Sequence, residues 1–374
     1  MAKHKKSRRL LLFLLTTLIL GTNFLLFLGI ASNYIPPRRI WWIPFTGFVF
    51  PYVYLLGILL AVACVKVSKK LFFLHAILLL ICLPYAYRFF PVNFINSSEK
   101  HSESTFSIMS YNVRHFDRHR ILNQGDTTKM KIFDFLQSEQ PDILCFQEYY
   151  KGRKKDPFVN ATKIQAIGNY DYRVENTIFE TVEYNFGVSI YSKYPIVNHG
   201  VVTAPSAKFF FNVYADILLT TNDTIRVFNT HFESIRLTDE SYSLFESPSW
   251  NIEEQKSPIK NTVKKIKSAF IPREVQVNAI IKAALASPYP VFIVGDFNDP
   301  PMSFTYQRFK QHFQDHFTKS YFGRGATYVG KIPAGRIDYI FSSTESIIPR
   351  GFSIQKEILS DHRAIKAYFE LLSD

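Results

Sequence analysis

The sequence predicts an α/β domain carried on three transmembrane helices. Three observations lead there: three long apolar stretches in an N-terminal part free of acidic residues, short β-rich runs interleaved with helical ones beyond it, and a sharp charge division between the two parts. Of the 44 Lys and Arg in 374 residues, eleven precede Glu99, the first acidic residue, and they carry most of the formal charge of +13. Beyond that point 33 basic residues face 31 acidic ones. The basic balance therefore reports a membrane-inserted segment followed by a nearly neutral domain with enough chain for a full core. An apolar content of 47% and an aromatic content of 16% exclude disorder, collagen and a disulfide scaffold. Cys64 and Cys82 fall in the apolar stretches and Cys145 in an apolar run, which leaves no disulfide framework and no zinc-type cysteine pair.

The apolar stretches cover about 10–30, 40–65 and 71–92, each near or above the roughly 20 residues that a helix needs to cross a bilayer. KHKKSRR precedes the first, Trp41, Trp42 and Tyr52 suit an interfacial belt at the second, and KVSKK separates the second from the third. Five basic residues before the first span, two in PPRR, three in KVSKK, and Arg88 with Lys100 after the third put the N-terminus in the cytoplasm. Three crossings then deliver the remainder to the extracytoplasmic side of a plasma or inner membrane. A signal peptide ending near GIAS is the alternative for the first stretch, and its cleavage would leave two spans. The expected division is a membrane domain at 1–95, a linker at 96–104 (NSSEKHSES) and an α/β domain at 105–374. An extended linker of that length reaches no more than about 35 Å from the bilayer.

Within 105–374, strands are expected at 106–112, 143–147, 187–192, 212–219, 225–231, 291–295, 337–341 and 364–370. A helix starting at Asp126 would place Met130, Phe133 and Leu136 on one face, and another over 273–286 repeats Val277, Ile280, Ile281 and Leu285. The Ser-, Glu- and Lys-rich segment 233–268 reads as an insertion or lid. Polar residues gather where strands end: Asn112, Glu148, Asn229, His231, Asp296, Asn298, Asp338, Asp361 and His362. Singly, each suits a turn or a cap. Together they supply carboxylates and an amide for a hard cation, with imidazoles and a second amide for phosphate oxygens, all expected at the C-terminal ends of apolar strands.

The series SYNV, QE, GVSIYSKYPI, NTHF, GDFND, RIDYIF and SDHRAI resembles the endonuclease/exonuclease/phosphatase superfamily, the DNase I-like metal-dependent phosphohydrolases, over about 105–370. The resemblance implies a four-layer α/β sandwich with its site at the sheet edges. It implies Glu148 as main Mg2+ ligand with Asn112 and Asp361, Mn2+ being the alternative ion. Asp296 would deprotonate the attacking water and Asn298 would fix phosphate or nucleophile. Asp338 would orient His362, and His231 would supply a second donor. A carboxylate or amide partner for His231 is sought among Glu180, Glu183 and Asn185. Arg336 reads as a structural charge more readily than a substrate contact, and Gly323, Gly325 and Thr327 read as loop geometry. The expected function is a membrane-anchored phosphoesterase acting on a lipid head group or small phosphate ester, with the bilayer as partner and no obligate protein partner. A tethered nuclease is the alternative. The near-neutral domain disfavours it, since nucleic acid draws on clustered Lys and Arg, although VKKIKS at 263–268 is a local basic run. A catalytically silent domain fits less well, because the acidic and imidazole residues are all present.

Overall fold

The computed structural model describes residues 2–93, 105–118, 126–151, 161–180, 185–204, 210–235, 252–330, 335–343 and 346–372. Contacts divide the chain into two units, Met1–Phe90 with Pro300–Gln307, and Pro91–Asp299 with Arg308–Asp374. The expected linker lies outside the described residues.

The first unit contains helices α1 (Ala2–Ala31), α2 (Pro44–Cys64) and α3 (Lys69–Ala86). Arg9–Ala31, Pro44–Cys64 and Lys69–Ala86 are long and apolar enough to cross a membrane, and a helix satisfies its backbone internally, as the bilayer demands. Phe13, Leu20, Phe24, Leu59, Val62, Phe73 and Leu80 are exposed, a surface suited to lipid rather than to water. Small and polar residues join the helices. Buried His75 bonds Asn23 Oδ1 at 2.8 Å and the Gly57 carbonyl at 2.9 Å, tying all three together. The segment Pro300–Gln307 is bonded into this unit. Arg88 donates to Asn33 Oδ1 at 2.9 Å, to the Pro301 carbonyl at 3.1 Å and to Gln307 Oε1 at 2.9 Å. A Cβ on Gly47 would stand 1.8 Å from the Met302 carbonyl oxygen, so only glycine fits there. Arg88 is thus an internal latch and not merely a flanking charge.

The second unit holds two six-stranded sheets. One has the order β11 (Ile347–Ile354), β12 (Ile365–Leu371), β1 (Thr105–Asn112), β2 (Ile143–Tyr150), β4 (Asn185–Ser192), β3 (Tyr172–Glu180). The other has the order β5 (Ile196–Gly200), β6 (Phe211–Leu218), β7 (Thr224–His231), β8 (Val291–Asp296), β10 (Asp338–Ser342), β9 (Gln314–Asp315). The eight strands expected from sequence are the interior ones, and the four edge strands β3, β5, β9 and β11 escaped it. Interior strands are covered on both faces and read as continuous apolar runs. Edge strands such as IVNHG are largely exposed and carry polar residues that also discourage pairing between molecules.

Alternate residues of the interior strands build the core. Phe106, Ile108, Ile143, Cys145, Val188, Val213, Ile225, Val227, Phe292, Val294 and Ile340 pack between the sheets. Phe292 meets Phe369 at 4.7 Å and Phe106 at 5.7 Å between ring centres, both edge-on. The intervening residues Met109, Tyr111, Leu144 and Phe146 face outward under Ile132, Phe133 and Leu136 of helix α4 (Asp126–Glu139) and Ile164 of α5 (Ala161–Gly168). Phe297, Phe309 and Phe341 stack on the outer side of the second sheet. The result is the expected four-layer α/β sandwich.

Two helix expectations need correction. Met130 is exposed, and Ile132 takes its place in the core beside Phe133 and Leu136. The helix expected at 273–286 runs from Ile252 to Leu285 and absorbs the second half of the supposed insertion, while Leu285 is exposed. Pro258 and Pro272 within it imitate helix breaks in the sequence. Residues 236–251 of the insertion lie outside the described residues.

His316 is fully buried, with Nε2 2.7 Å from Ser342 Oγ. Burial lowers its pKa to about 3, against the pull of Asp315. An unfolded histidine titrates near 6.5, so the unfolded chain binds more protons in the window from about pH 6.5 down to 3. Stability should fall as pH drops through that window, by up to about 1.4 kcal/mol per unit from this group, and be untouched by it above pH 7. Denaturant midpoints at pH 7 and pH 5 should differ less for His316→Gln than for the parent. An equal acid loss in both would remove His316 as its source.

Candidate active site

The inner face of four interior strands, β1, β2, β7 and β8, turns from apolar to polar at one end without breaking its two-residue period. Phe106 and Ile108 lead to Asn112, Ile143 and Cys145 to Gln147, Ile225 and Val227 to Asn229 and His231, and Phe292 and Val294 to Asp296. The expectation that all site residues close strands from their C-terminal ends is only half met. Asp338 opens β10, which runs antiparallel to β8 with Asp338 in register with Asp296. Asp361 and His362 precede β12, which is antiparallel to β1. Antiparallel pairing brings the start of one strand to the end of its neighbour, so both polarities serve one rim.

Four residues form a buried floor. His362 Nδ1 lies 3.0 and 3.1 Å from the two oxygens of Asp338, and its Nε2 lies 3.6 Å from Asp296 Oδ2. His231 Nε2 lies 3.5 Å from the same oxygen and 3.8 Å from Glu148 Oε1, and it has no hydrogen-bond partner among the described residues. Asp296 accepts from the Asn298 backbone N–H at 2.8 Å, from Asn298 Nδ2 at 3.3 Å and from Asn112 Nδ2 at 3.0 Å. The Thr327 hydroxyl accepts the amides of Ile337 and Asp338 at 3.0 and 3.2 Å, a hold on the start of β10 that loop geometry alone would not supply.

The more open rim comprises Glu148, Asp361, Arg114 and His115. Glu148 is 26% and Asp361 19% exposed, against 1% for Asp296. Asn112 Nδ2 donates to Glu148 Oε1 at 3.4 Å, and Ser360 Oγ donates to the Asn112 carbonyl at 2.9 Å beside Asp361. Glu148 interrupts the pairing of β2 with β4 at a bulge and adopts φ 49°; Asn298 adopts φ 53°. Left-handed backbone at non-glycine residues of a site marks geometry enforced by the surrounding packing.

The charges support one another. Burial raises the Asp296 pKa; His362 opposes that rise and Asp338 reinforces it, leaving the group above the usual carboxylate value. Burial would lower the pKa of His362, yet Asp338 and Asp296 carry it well above the usual imidazole value. For Glu148, burial is outweighed by His231, His115 and His362, and the acid is held below its ordinary value.

All eight site residues expected from sequence come to this one region. Asn229 is different: it is fully buried, donates to the Phe146 and Ser189 carbonyls at 2.8 and 2.9 Å and accepts from Gln147 Nε2 at 2.6 Å. It joins the two sheets and faces no substrate. Arg336 is likewise internal, paired with Asp315 at 3.0 and 2.7 Å. The side chains of Glu180, Glu183 and Asn185 lie outside those described. Arg114, His115 and Gln147 were given no role by sequence reasoning, although Arg114 and His115 follow SYNV and Gln147 is the first residue of QE.

A site of carboxylates, amides and imidazoles at the joined edges of two face-packed sheets defines a class, the hydrolases of phosphate ester bonds. A model of the Endonuclease/Exonuclease/phosphatase family matches residues 109–362, and the chain belongs to that family, whose members are generally dependent on a divalent metal. A second model, a domain of unknown function, matches residues 6–89. Among solved structures, an endonuclease/exonuclease/phosphatase from Beutenbergia cavernae is 15% identical at TM-score 0.52, covering 72% of each chain. One from Bacteroides vulgatus is 17% identical at 0.52, covering 72% of this chain and 99% of its own. The human Nocturnin catalytic domain with bound sulfate is 15% identical at 0.51, covering 72% and 95%. At such identities the likeness is one of fold. No curated protein matches the chain.

Asn229→Ala should remove the acceptor of the shortest Gln147 Nε2 hydrogen bond and the donor to two backbone carbonyls, and a buried polar group left unpaired costs about 1–3 kcal/mol. A clearly lowered unfolding midpoint is expected, together with loss of activity below the temperature of unfolding. Parental stability would show that the joint between the sheets does not rest on this amide.

Proposed function

We propose that the chain is a membrane-anchored, Mg2+-dependent phosphoesterase that hydrolyses a phosphodiester or phosphomonoester by in-line attack of an activated water. The substrate class we favour is a lipid head group or small phosphate ester. The observation that carries the reading is the buried floor, where His231 Nε2 has no hydrogen-bond partner among the described residues and lies 3.5 Å from a carboxylate that three N–H groups orient. A phosphate oxygen is the natural acceptor for such a donor.

The residues fit a divalent cation. Glu148, Asn112 and Asp361 offer hard oxygen atoms, Glu148 is held in its ionised form and no thiol lies among them. Asp296, Asp338 and His362 also come within 4.8 Å of one another. Their closeness is accounted for by the Asp338–His362 hydrogen bonds, and burial there leaves an ion little access. We therefore assign the ion to the Glu148 group. A cation held there would withdraw charge from the phosphate oxygens.

In this reading Asp296 takes the proton of the attacking water, its basicity increased by burial, and Asn298 and Asn112 fix the direction of its lone pairs. His362, kept protonated by Asp338, donates from Nε2 to a phosphate oxygen, and His231 donates to another. The apolar helices support anchoring in a membrane, and the five basic residues before the first span support a cytoplasmic N-terminus with the catalytic domain outside.

The test uses the full chain in detergent with Mg2+ and a panel of sphingomyelin, glycerophosphodiesters, inositol phosphates, an aryl phosphodiester and DNA. Asp296→Asn should bind metal as the parent does and lose the chemical step. Glu148→Gln should lose both, and His362→Ala should slow turnover by about 10²-fold to 10³-fold. Parental turnover by Asp296→Asn would end the assignment of the base, and DNA as best substrate would replace the ester. A reporter active only outside the cytoplasm, fused after Asp374, should be active; a working cytoplasmic reporter there would reverse the topology.

A further inference from the structure

The chain after Asn112 makes a turn that the proposed mechanism leaves unused. Arg114, His115, Phe116 and Asp117 follow one another at φ 43°, 56°, 57° and 56°, and none is glycine. In left-handed backbone the Cβ of an L-residue crowds the next carbonyl oxygen, so four in succession persist only where the surroundings enforce them. Here Phe116 is fully buried against Phe133, Phe146 and Tyr149, with ring centres 5.7–6.0 Å apart. The Arg114 N–H donates to Asn112 Oδ1 at 3.1 Å, and the Phe116 N–H donates to the Val113 carbonyl at 2.8 Å.

This turn delivers one ring to the site. His115 Nε2 lies 3.7 Å from Glu148 Oε2, while His231 Nε2 lies 3.8 Å from Oε1 of the same carboxylate. The two imidazoles thus attend the two oxygens of one acid, and an aromatic wall connects them. His115 packs on Phe186 at 4.8 Å, Phe186 on Phe211 at 5.0 Å, and Phe211 on His231 at 6.1 Å. They differ in depth, for the His115 side chain is 18% exposed and that of His231 8%. His231 belongs to the floor, and His115 stands at the mouth.

We propose that His115 is a further substrate-binding residue, a third imidazole that donates from Nε2 to a phosphate oxygen of the incoming ester at the open side of Glu148, with Phe186 setting the plane of its ring. The proposal deepens the reading of the site as a phosphoesterase and rests on it. Its role is binding: His115 holds the oxyanion against the aromatic wall, and proton transfer stays with Asp296.

Two substitutions separate the ring from its nitrogen. His115→Asn removes the ring and keeps a residue that tolerates left-handed backbone. His115→Phe keeps a ring against Phe186 and removes the donor. The full-length protein in detergent with Mn2+ is titrated with inorganic phosphate by calorimetry, a readout that needs no turnover, and Mn2+ affinity is measured separately. KM and kcat are then compared on the best ester of the panel. Both variants should weaken phosphate binding and raise KM by about 10-fold or more, the loss expected for one hydrogen bond to a charged group, with Mn2+ affinity and kcat within about twofold of the parent. Parental phosphate binding in His115→Phe would overturn the proposal, since the ring alone would then suffice. A parallel loss of Mn2+ affinity would overturn it too, placing His115 behind Glu148 as a support. Should the parent bind phosphate through His115 yet hydrolyse no ester, the phosphoesterase reading falls and the binding assignment stands.

Discussion

The joint between the two sheets is the constraint on which the remainder of the catalytic unit depends. Apolar surfaces pack without strong preference for register, and the contacts of Phe292 with Phe106 and Phe369 would tolerate small sliding. The buried amides of Gln147 and Asn229 would not. Their 2.6 Å hydrogen bond, with the Asn229 bonds to the Phe146 and Ser189 carbonyls, is satisfied in one alignment only. An unpaired amide in that interior is costly, so the polar joint converts a general hydrophobic contact into a defined one. Glu148 follows Gln147 directly and His231 lies two residues beyond Asn229. The joint that aligns the sheets therefore also sets the distance between a rim carboxylate of one and a floor imidazole of the other.

Floor and rim divide the electrostatic work. Two carboxylates of the floor are buried side by side, a placement sustained by the His362 cation bonded to one and close to the other. Removing that imidazole would leave like charges facing each other in a poorly solvated interior. The rim is wetter, and its carboxylates keep surface open for an outside ligand. One floor thus presents a basic carboxylate next to fixed donors, with a more accessible acidic mouth beside it. The strained backbone sits at this boundary, at Glu148, Asn298 and the Arg114–Asp117 turn.

Legibility from sequence followed burial. The eight interior strands were readable because both of their faces are covered, whereas an edge strand such as β5 is largely exposed and β9 is only two residues long. Met130 and Leu285 have helical spacing but fall just outside the covered stripe, which depends on what packs there. Pro258 and Pro272 concealed the first half of a 34-residue helix, since proline reads as a boundary unless neighbouring structure tolerates it. Arg88 counted as a flanking charge until its bonds to Pro301 and Gln307, more than 200 residues away, were visible.

The sequence by itself determined the family, the apolar spans and the chemical identities at the site, because the motifs SYNV, QE, NTHF, GDFND, RIDYIF and SDH are local and the two-residue period is intrinsic to a strand. Tertiary structure alone decided roles that depend on direction and partner. It turned Asn229 from one of the polar strand-end residues into a tie between sheets, bound Arg336 to Asp315, and brought Asp338 to Asp296 by antiparallel register rather than from a shared strand end. It also turned His115 toward Glu148 through four left-handed residues, a path that SYNVRHFD does not announce. The physical reason is common to all four. A side chain's chemistry is written in its own atoms, whereas its function depends on which groups, distant in the chain, desolvate it and receive its hydrogen bonds.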